Sequence, residues 1–456
     1  MAHTVILRMT SGDLAIKSRQ PCASWLTNIF LVIVTIIFAS TANSIAAAPA
    51  NSLHPRPFVP LPPPEVKSRG AILIDAETGR VLWAHNPNRE LPMASTTKLM
   101  TAILFCEHVS PDTIIVAGAD AANTHECSMH LKVGEKVTAH DLLRAMLLRS
   151  ANDSAVAAAD AVAGSVPQFV KLMNIRARQM GCTRTHFANP NGLPAPDHYT
   201  TAHDLAIIAA AAMRVPRIRN VVRLLRARIH RSIDKQDEIM VNHTHFVGHF
   251  PGADGVKTGW TDAAGHCLVG SDTRGGWELI SVVLHSPNFV KETESIMDYG
   301  FHNFERKELL PAGATVATYH VAGGTASTVS AIVTRPLYVV VPRAARAPVR
   351  FYAQPGVVQA PVTAGKFIAV GEAMQGGTDL ATVSLAAAST VDLPPTSSPV
   401  RPTMSDAIRL LLTSALVLVS LVYGIRITSA AQSARRRRRG IEAGLRSDDR
   451  AGPRYR

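Results

Sequence analysis

Apolar positions follow three regimes along the chain. From Val66 to about residue 300, short alternating runs stand at either end of longer stretches with helical spacing. From about Phe301 to Val391 only short alternating runs recur, and two continuous apolar runs, Trp25 to Phe38 and Leu410 to Ile425, lie outside these regions. Ala71-Ile72-Leu73-Ile74-Asp75 and Arg80-Val81-Leu82-Trp83-Ala84 flank Ala76-Glu77-Thr78-Gly79, which predicts a hairpin. Helical spacing follows over Ser95 to about His108, Ala139 to about Val162, Val166 to Met180, Ala202 to Met213 and Ile218 to Ala227. Strands return with Cys267-Leu268-Val269-Gly270 and Leu279 to Leu284, joined through Arg274-Gly275-Gly276. Strands at both ends with helices between predict an α+β region, one antiparallel sheet covered by helices. The Val-, Ala-, Thr- and Gly-rich stretch 301–391, with runs such as Leu337-Tyr338-Val339-Val340-Val341, predicts a small all-β domain. No internal repeat is visible.

The two long apolar runs change the picture from a simple globular chain to an exported, tethered one. Arg8, Lys17 and Arg19 precede the first run, and small residues ending Ala46-Ala47-Ala48 follow it, the layout of a secretory signal cleaved after about Ala48. An uncleaved anchor is the competing reading, and either places the next domain outside the cytoplasm. The second run is flanked by Arg409 and Arg426, and Ile408, Ile427 and snorkelling arginines extend it to the length of a membrane span. Arg435 to Arg439 mark its cytoplasmic side. Prolines at 55, 57, 60 and 62–64, and again at 394, 395, 399 and 402, predict stiff linkers.

Composition then limits the classes of function. The formal charge of +13 is concentrated at the termini, nine arginines against three carboxylates in 434–456, so it argues for no nucleic-acid surface. Cysteines 22, 106, 127, 182 and 267 suit no zinc template by spacing. Cys182 and Cys267 read as single buried thiols, while a Cys106–Cys127 bridge is left open. His243, His245 and His249 could suggest a metal but read as solvated or structural side chains, and no cofactor is required.

Three motifs carry candidate chemistry: Ser95-Thr96-Thr97-Lys98, Ser150-Ala151-Asn152 and Lys257-Thr258-Gly259. On a helix, residues three apart share a face, so the Lys98 amine can take the proton from the Ser95 hydroxyl and make it a nucleophile. Single matches carry little weight, since Ser232-Ile233-Asp234-Lys235 and Ser286-Pro287-Asn288 spell two of the same patterns. Order and setting separate them. Ser232 lies too close to Lys257 for a middle motif to intervene, whereas Ser95 stands at the start of an apolar helical pattern, where a helix N-terminus stabilises developing negative charge.

The ordered triple is shared by penicillin-binding proteins and class A β-lactamases. Over about residues 66–390 the chain resembles the D-alanyl-D-alanine carboxypeptidases of the low-mass penicillin-binding protein family. The stretches Leu131 to Thr138, Asn189-Pro190-Asn191-Gly192-Leu193, Gly252 to Thr261 and Ala360 to Gly365 extend the resemblance beyond the motifs. Together with the apolar runs and proline stretches, the resemblance gives this layout: signal peptide 1–48, Pro-rich linker 49–65, β-lactamase/transpeptidase-like catalytic domain 66–300, small β-domain 301–391, linker 392–407, membrane helix 408–427 and basic cytoplasmic tail 428–456. It implies that Ser95 attacks the penultimate D-alanine of a peptidoglycan stem peptide and forms an acyl-enzyme, with β-lactam antibiotics as covalent inhibitors. Lys98 would be the base, Ser150 a proton relay and Asn152 a positioner. Lys257 and Thr258 would bind the terminal carboxylate, Gly259 would admit the substrate strand, and the backbone amides of Ser95 and Trp260 would hold the oxyanion. One departure is Ala151, where the subfamily usually has glycine; its methyl is expected at the cleft or its rim.

Three alternatives remain beside this reading. A β-lactamase would need a deacylating group, yet the only glutamate between Asn152 and Lys257 is Glu238, outside any Glu-x-x-Leu-Asn string. A transpeptidase differs only in acceptor, and a non-enzymatic wall-binding protein would leave the motif triple without a use. The topology predicts that alkaline carbonate leaves the full-length protein in the membrane pellet; release of intact protein into the supernatant would remove the anchor.

Overall fold

A computed structural model describes residues 4–5, 58–235, 237–395 and 404–445. The apolar run 25–38, the small-residue site at 46–48 and Cys22 lie outside the described residues, and so does the leader reading they support.

Gly70–Asp75 (β1) and Val81–His85 (β2) form the expected hairpin, and the Asp75 carboxylate accepts bonds from the Thr78 amide and hydroxyl across its turn at 2.7 and 2.6 Å. Far along the chain Ala253–Thr261 (β3), Gly265–Arg274 (β4) and Trp277–Leu284 (β5) complete a five-stranded antiparallel sheet in the order β2-β1-β5-β4-β3. Alternation along the strands serves two cores. Ile72, Ile74, Ile280 and Val282 join the larger helical core, while Ala71, Leu73, Leu279 and Val283 pack with Ile296 and Met297 on the other face. Because both faces are covered, β1 is buried at every position, and its sequence reads as an unbroken apolar run.

The larger core is built from Lys98–His108 (α1), Asn152–Ala163 (α2), Val166–Gln179 (α3), Ala202–Arg214 (α4) and Pro216–Val222 (α5); Phe289–Asn303 (α6) covers the opposite face. Two helical expectations are corrected. The continuous helix expected over 139–162 is an α-helix at Ala139–Arg144, a π-helical turn at Ala145–Arg149, a left-handed residue at Ser150 (φ 67°, ψ 27°) and then α2. The Asn152 amide leaves the helical ladder to donate to the Cys127 carbonyl at 2.8 Å. The apolar period runs through the break without Gly or Pro, so pattern alone could not show it. The helix expected over 218–227 ends at Val222, because the Asn242 side-chain amide takes the carbonyls of Val222 and Leu224 at 3.0 and 2.8 Å. Residues 226–228 then pair as a strand with 239–241.

After α6, eight short strands between Phe304 and Ala387 enclose a separate apolar core that includes Val329, Val333 and Leu385. Thr4–Val5 pairs with the Val349–Ala353 strand at the margin of that sheet. The β1–β2 turn is braced on this region: Arg80 donates to the Val340 carbonyl, and the Glu77 carboxylate receives Arg306 and Arg335. A separate helix, Met404–Leu445 (α7), has a first stretch, Met404–Arg426, of mean hydropathy 2.1, long and apolar enough to cross a membrane.

One buried ion pair fixes the loop that leads into the π-helical turn. Arg231 and Glu135 are both sealed from solvent, joined Nε–Oε1 at 2.8 Å and Nη2–Oε2 at 2.9 Å, and Arg231 also donates to the carbonyls of Met129 and His130. Removing one partner leaves an uncompensated charge in a dry interior. Glu135→Ala is expected to lower unfolding stability in urea by about 3–5 kcal/mol; a loss under 1 kcal/mol would show that the pair does not hold this loop.

Candidate active site

Ser95 lies in a 3-10 turn, Ala94–Thr97, that runs directly into α1. The turn is pinned by hydroxyls: Thr96 donates to the Met93 carbonyl at 2.7 Å and Thr97 to the Ala94 carbonyl at 2.8 Å. Two glycines let other segments close on it. A methyl on Gly192, at φ +90°, would lie 1.9 Å from the Ala94 carbonyl oxygen, and one on Gly259 would lie 2.8 Å from the Ser95 amide nitrogen. Neither position can carry a side chain without displacing the serine turn.

The Lys98 amine is fully buried and donates to Ser95 Oγ at 2.9 Å, Asn152 Oδ1 at 2.6 Å and the Asn191 carbonyl at 2.6 Å. Asn152 is oriented by its other end, Nδ2 donating to the Glu126 carbonyl at 2.8 Å. Burial, and then the neighbouring Lys257 ammonium, pull the Lys98 amine well below its ordinary pKa. Lys257 is also fully buried, on β3, and desolvation lowers its pKa to about 8. One amine is therefore prepared to be neutral beside a hydroxyl, while the second can still carry charge near neutral pH.

The structure brings Ser95, Lys98, Asn152, Lys257 and Gly259 together. Thr258 is half-buried on the same strand, and its carbonyl accepts the Lys257 amine at 3.0 Å. Ser150 is 6 % exposed at the left-handed break two residues before Asn152, and among the described residues its hydroxyl makes no hydrogen bond. Trp260 follows Gly259 with its indole 57 % exposed. The Ala151 methyl, expected at the cleft or its rim, is fully buried and packs in the larger core.

Sequence reasoning missed several groups. The carbonyls of Asn191 and Glu126 have no side-chain signature at all. Asp153, directly after Asn152, is buried and accepts from Ser128 Oγ at 2.6 Å and from the amides of Met129 and Leu131 at 3.1 and 3.0 Å, so it ties the 126–131 loop to α2. The exposed Cys127 side chain lies on that loop, near both amines, where only its thiolate form would favour their charge. The Cys106–Cys127 bridge left open by the sequence is not formed; all four described cysteines are free. Burial raises the Cys182 and Cys267 thiols to about 12.

The decoy motifs are elsewhere: Ser232 Oγ accepts the Lys136 amide, and Ser286 Oγ donates to Glu292. Glu238 pairs with Arg228 at 3.1 Å. His243 is exposed near Lys257, its backbone N–H on the Leu148 carbonyl, while His245 and His249 meet edge-on at 6.5 Å. Among the described residues no three such side chains are grouped to hold a metal.

With this geometry in hand, comparison with known proteins is informative. Residues 58–288 match the family described as D-alanyl-D-alanine carboxypeptidase, and residues 304–393 match the C-terminal domain of penicillin-binding protein 5. The chain is 32 % identical over 266 residues to the D-alanyl-D-alanine carboxypeptidase DacF of Bacillus subtilis, covering 57 % of this chain and 68 % of that protein. It is 32 % identical over 321 residues to DacA of Escherichia coli K12, covering 66 % and 76 %. Penicillin-binding protein 5 of Haemophilus influenzae superposes with a TM-score of 0.63 at 28 % identity, over 73 % of this chain and 99 % of that one.

The two amines predict a two-limbed pH profile. If Lys98 is the base it must be neutral to accept a proton, so the reaction weakens at low pH as Lys98 becomes charged; if Lys257 attracts an anion it must be charged, so kcat/KM falls as pH rises through about 8. Lys257→Arg is expected to push the upper limb beyond pH 10 in the kcat/KM profile, because a guanidinium stays charged. An upper limb unmoved in that variant would show that another group sets it.

Proposed function

The chain belongs to the D-alanyl-D-alanine carboxypeptidase family, and from that membership we infer how its own residues perform a serine-type acyl transfer. It is a serine D-Ala-D-Ala carboxypeptidase of the penicillin-binding type, acting on peptidoglycan. The observation that carries the residue assignment is the 2.9 Å contact between a fully buried, charge-disfavoured Lys98 amine and the half-exposed Ser95 hydroxyl.

Neutral Lys98 takes the Ser95 proton as Oγ attacks the carbonyl carbon of the penultimate D-alanine. The carbonyl oxygen becomes an oxyanion held by the backbone amides of Ser95 and Trp260. Collapse breaks the peptide bond; a proton passes through Ser150 to the leaving amine, and D-alanine departs from an ester on Ser95. Asn152 keeps Lys98 aligned through Oδ1 and is held in that orientation by Glu126. The terminal carboxylate of the substrate is bound by the Lys257 ammonium and the Thr258 hydroxyl. The ester is then attacked by water, with Lys98 again as base, which restores Ser95 and releases the shortened stem peptide.

Two observations weigh against efficient β-lactam hydrolysis. Glu238 is engaged with Arg228 on an outer hairpin, and Asp153 is committed to the 126–131 loop. We assign the first part of α7 as the membrane anchor, with the catalytic unit outside the cytoplasm and the Arg435–Arg439 run inside, by the positive-inside rule. Residues 66–300 and 301–391 are taken as the catalytic and β-domains.

A fluorescent penicillin should label the full-length protein durably, and a peptide ending in D-Ala-D-Ala should release D-alanine. Ser95→Ala is expected to abolish labelling and to cut D-alanine release at least about a thousandfold, while Ser232→Ala leaves both intact. Persistent labelling in Ser95→Ala would reject this nucleophile, and label lost within seconds from the wild type would indicate a β-lactamase.

A further inference from the structure

Thr97, within the serine turn, is fully buried, and its hydroxyl has a partner besides the Ala94 carbonyl: the ring of His198, Nε2 to Oγ1 at 2.8 Å. At the other side of the ring, Nδ1 accepts the Ala188 amide at 2.9 Å. A backbone amide can only donate, so Nδ1 carries no proton and the proton of the neutral ring sits on Nε2. The direction of every bond is then fixed. Ala188 N–H donates to Nδ1, Nε2–H to the Thr97 oxygen, and the Thr97 hydroxyl to the Ala94 carbonyl at 2.8 Å. His198 is buried, edge-on to Phe187 at 6.1 Å; desolvation, and then the neighbouring His186, lower its pKa to about 4, which keeps the ring in this neutral form.

The chain of bonds ends on a peptide unit that the reaction uses. The Ala94–Ser95 unit offers its carbonyl to Thr97 and its N–H to the oxyanion. In a planar trans peptide the two point in opposite directions, so whatever holds the one aims the other. Ala94 stands at φ +49°, a left-handed conformation that an alanine keeps only when its surroundings impose it. Resting on the acyl-transfer reading above, we propose that His198 is a positioning residue for the Ser95 oxyanion donor, acting through the Thr97 hydroxyl as the Nε2–H tautomer. The bond into the Ala94 carbonyl also polarises the peptide and strengthens its N–H as a donor. The bond from Ala188 closes the base of the loop whose Asn191 carbonyl receives Lys98, so one imidazole steadies both the partner of the base and the donor to the oxyanion.

The test uses full-length protein in detergent and a peptide ending in D-Ala-D-Ala, with rates normalised to sites titrated to completion by a fluorescent penicillin, so that misfolded protein is not counted. Thr97→Val keeps the shape and deletes the hydroxyl; it is expected to lower kcat roughly ten- to hundredfold with KM within about threefold, because the oxyanion exists only after attack. Thr97→Ser restores the hydroxyl and should stay within about threefold of the wild type in kcat. His198→Phe should lower kcat as the valine variant does, and the double variant should fall within about twofold of the slower single variant, since the two groups act in series. A kcat in Thr97→Val within about threefold of the wild type, a change confined to KM, an equal loss in Thr97→Ser, or losses that multiply in the double variant would overturn the positioning role while leaving the carboxypeptidase reading standing. If His198→Phe does not fold, the valine and serine variants decide the matter by themselves. No D-alanine from the wild type would overturn the activity reading, and the positioning role with it.

Discussion

The site depends on keeping one primary amine dry. Lys98 is sealed between α2, the Asn189–Leu193 loop and the serine turn, and its three hydrogen-bond partners, a hydroxyl, a side-chain amide oxygen and a backbone carbonyl, are all uncharged. A buried ammonium with neutral partners is poorly compensated, and a second amine nearby adds repulsion. The proton is thereby disfavoured, with the nearby Asp153 carboxylate opposing that loss only in small part. Much of the surrounding architecture serves this condition. Gly192 admits the loop that supplies the Asn191 carbonyl, Asp153 keeps the 126–131 loop shut over α2, and the Glu135–Arg231 pair anchors the rest of that loop.

The break at Ser150 has the same logic. A straight helix from 139 to 163 would carry Ser150 and Asn152 round the helix axis by about 100° per residue, with no fixed relation to the cleft. A wide π turn followed by one left-handed residue resets the phase, so that Asn152 starts a new helix with its side chain on Lys98 and its amide on the Cys127 carbonyl. Such irregular turns inside helices recur where a side chain must be re-aimed. Both residues at the break are buried, Ser150 at 6 % exposure and Ala151 at 0 %.

What the chain revealed in advance follows from which features side chains encode. The hairpin at 71–84, the strands flanking Arg274-Gly275-Gly276, the helix after Ser95 and the all-β stretch were legible because apolar period and turn residues specify them locally. The three motifs were legible because a hydroxyl and two amines in fixed order are rare together. The break at Ser150 was not, because an uninterrupted apolar period masks a change in backbone hydrogen bonding. The carbonyls of Asn191 and Glu126 were invisible for a simpler reason: every residue has a carbonyl, and only tertiary structure decides which one meets Lys98. The end of α5 at Val222 was set by Asn242, twenty residues away, beyond the reach of any local signal.

The open edge of β3 has a bearing on how the molecule behaves in company. Unpaired strand edges invite other chains to add on and spread into aggregates. Here the serine turn stands against one face of that strand at Gly259, close enough that a methyl there would lie 2.8 Å from the Ser95 amide nitrogen. A neighbouring sheet that tried to extend this one would meet the serine turn beside its new strand, which limits how broad an added chain can be.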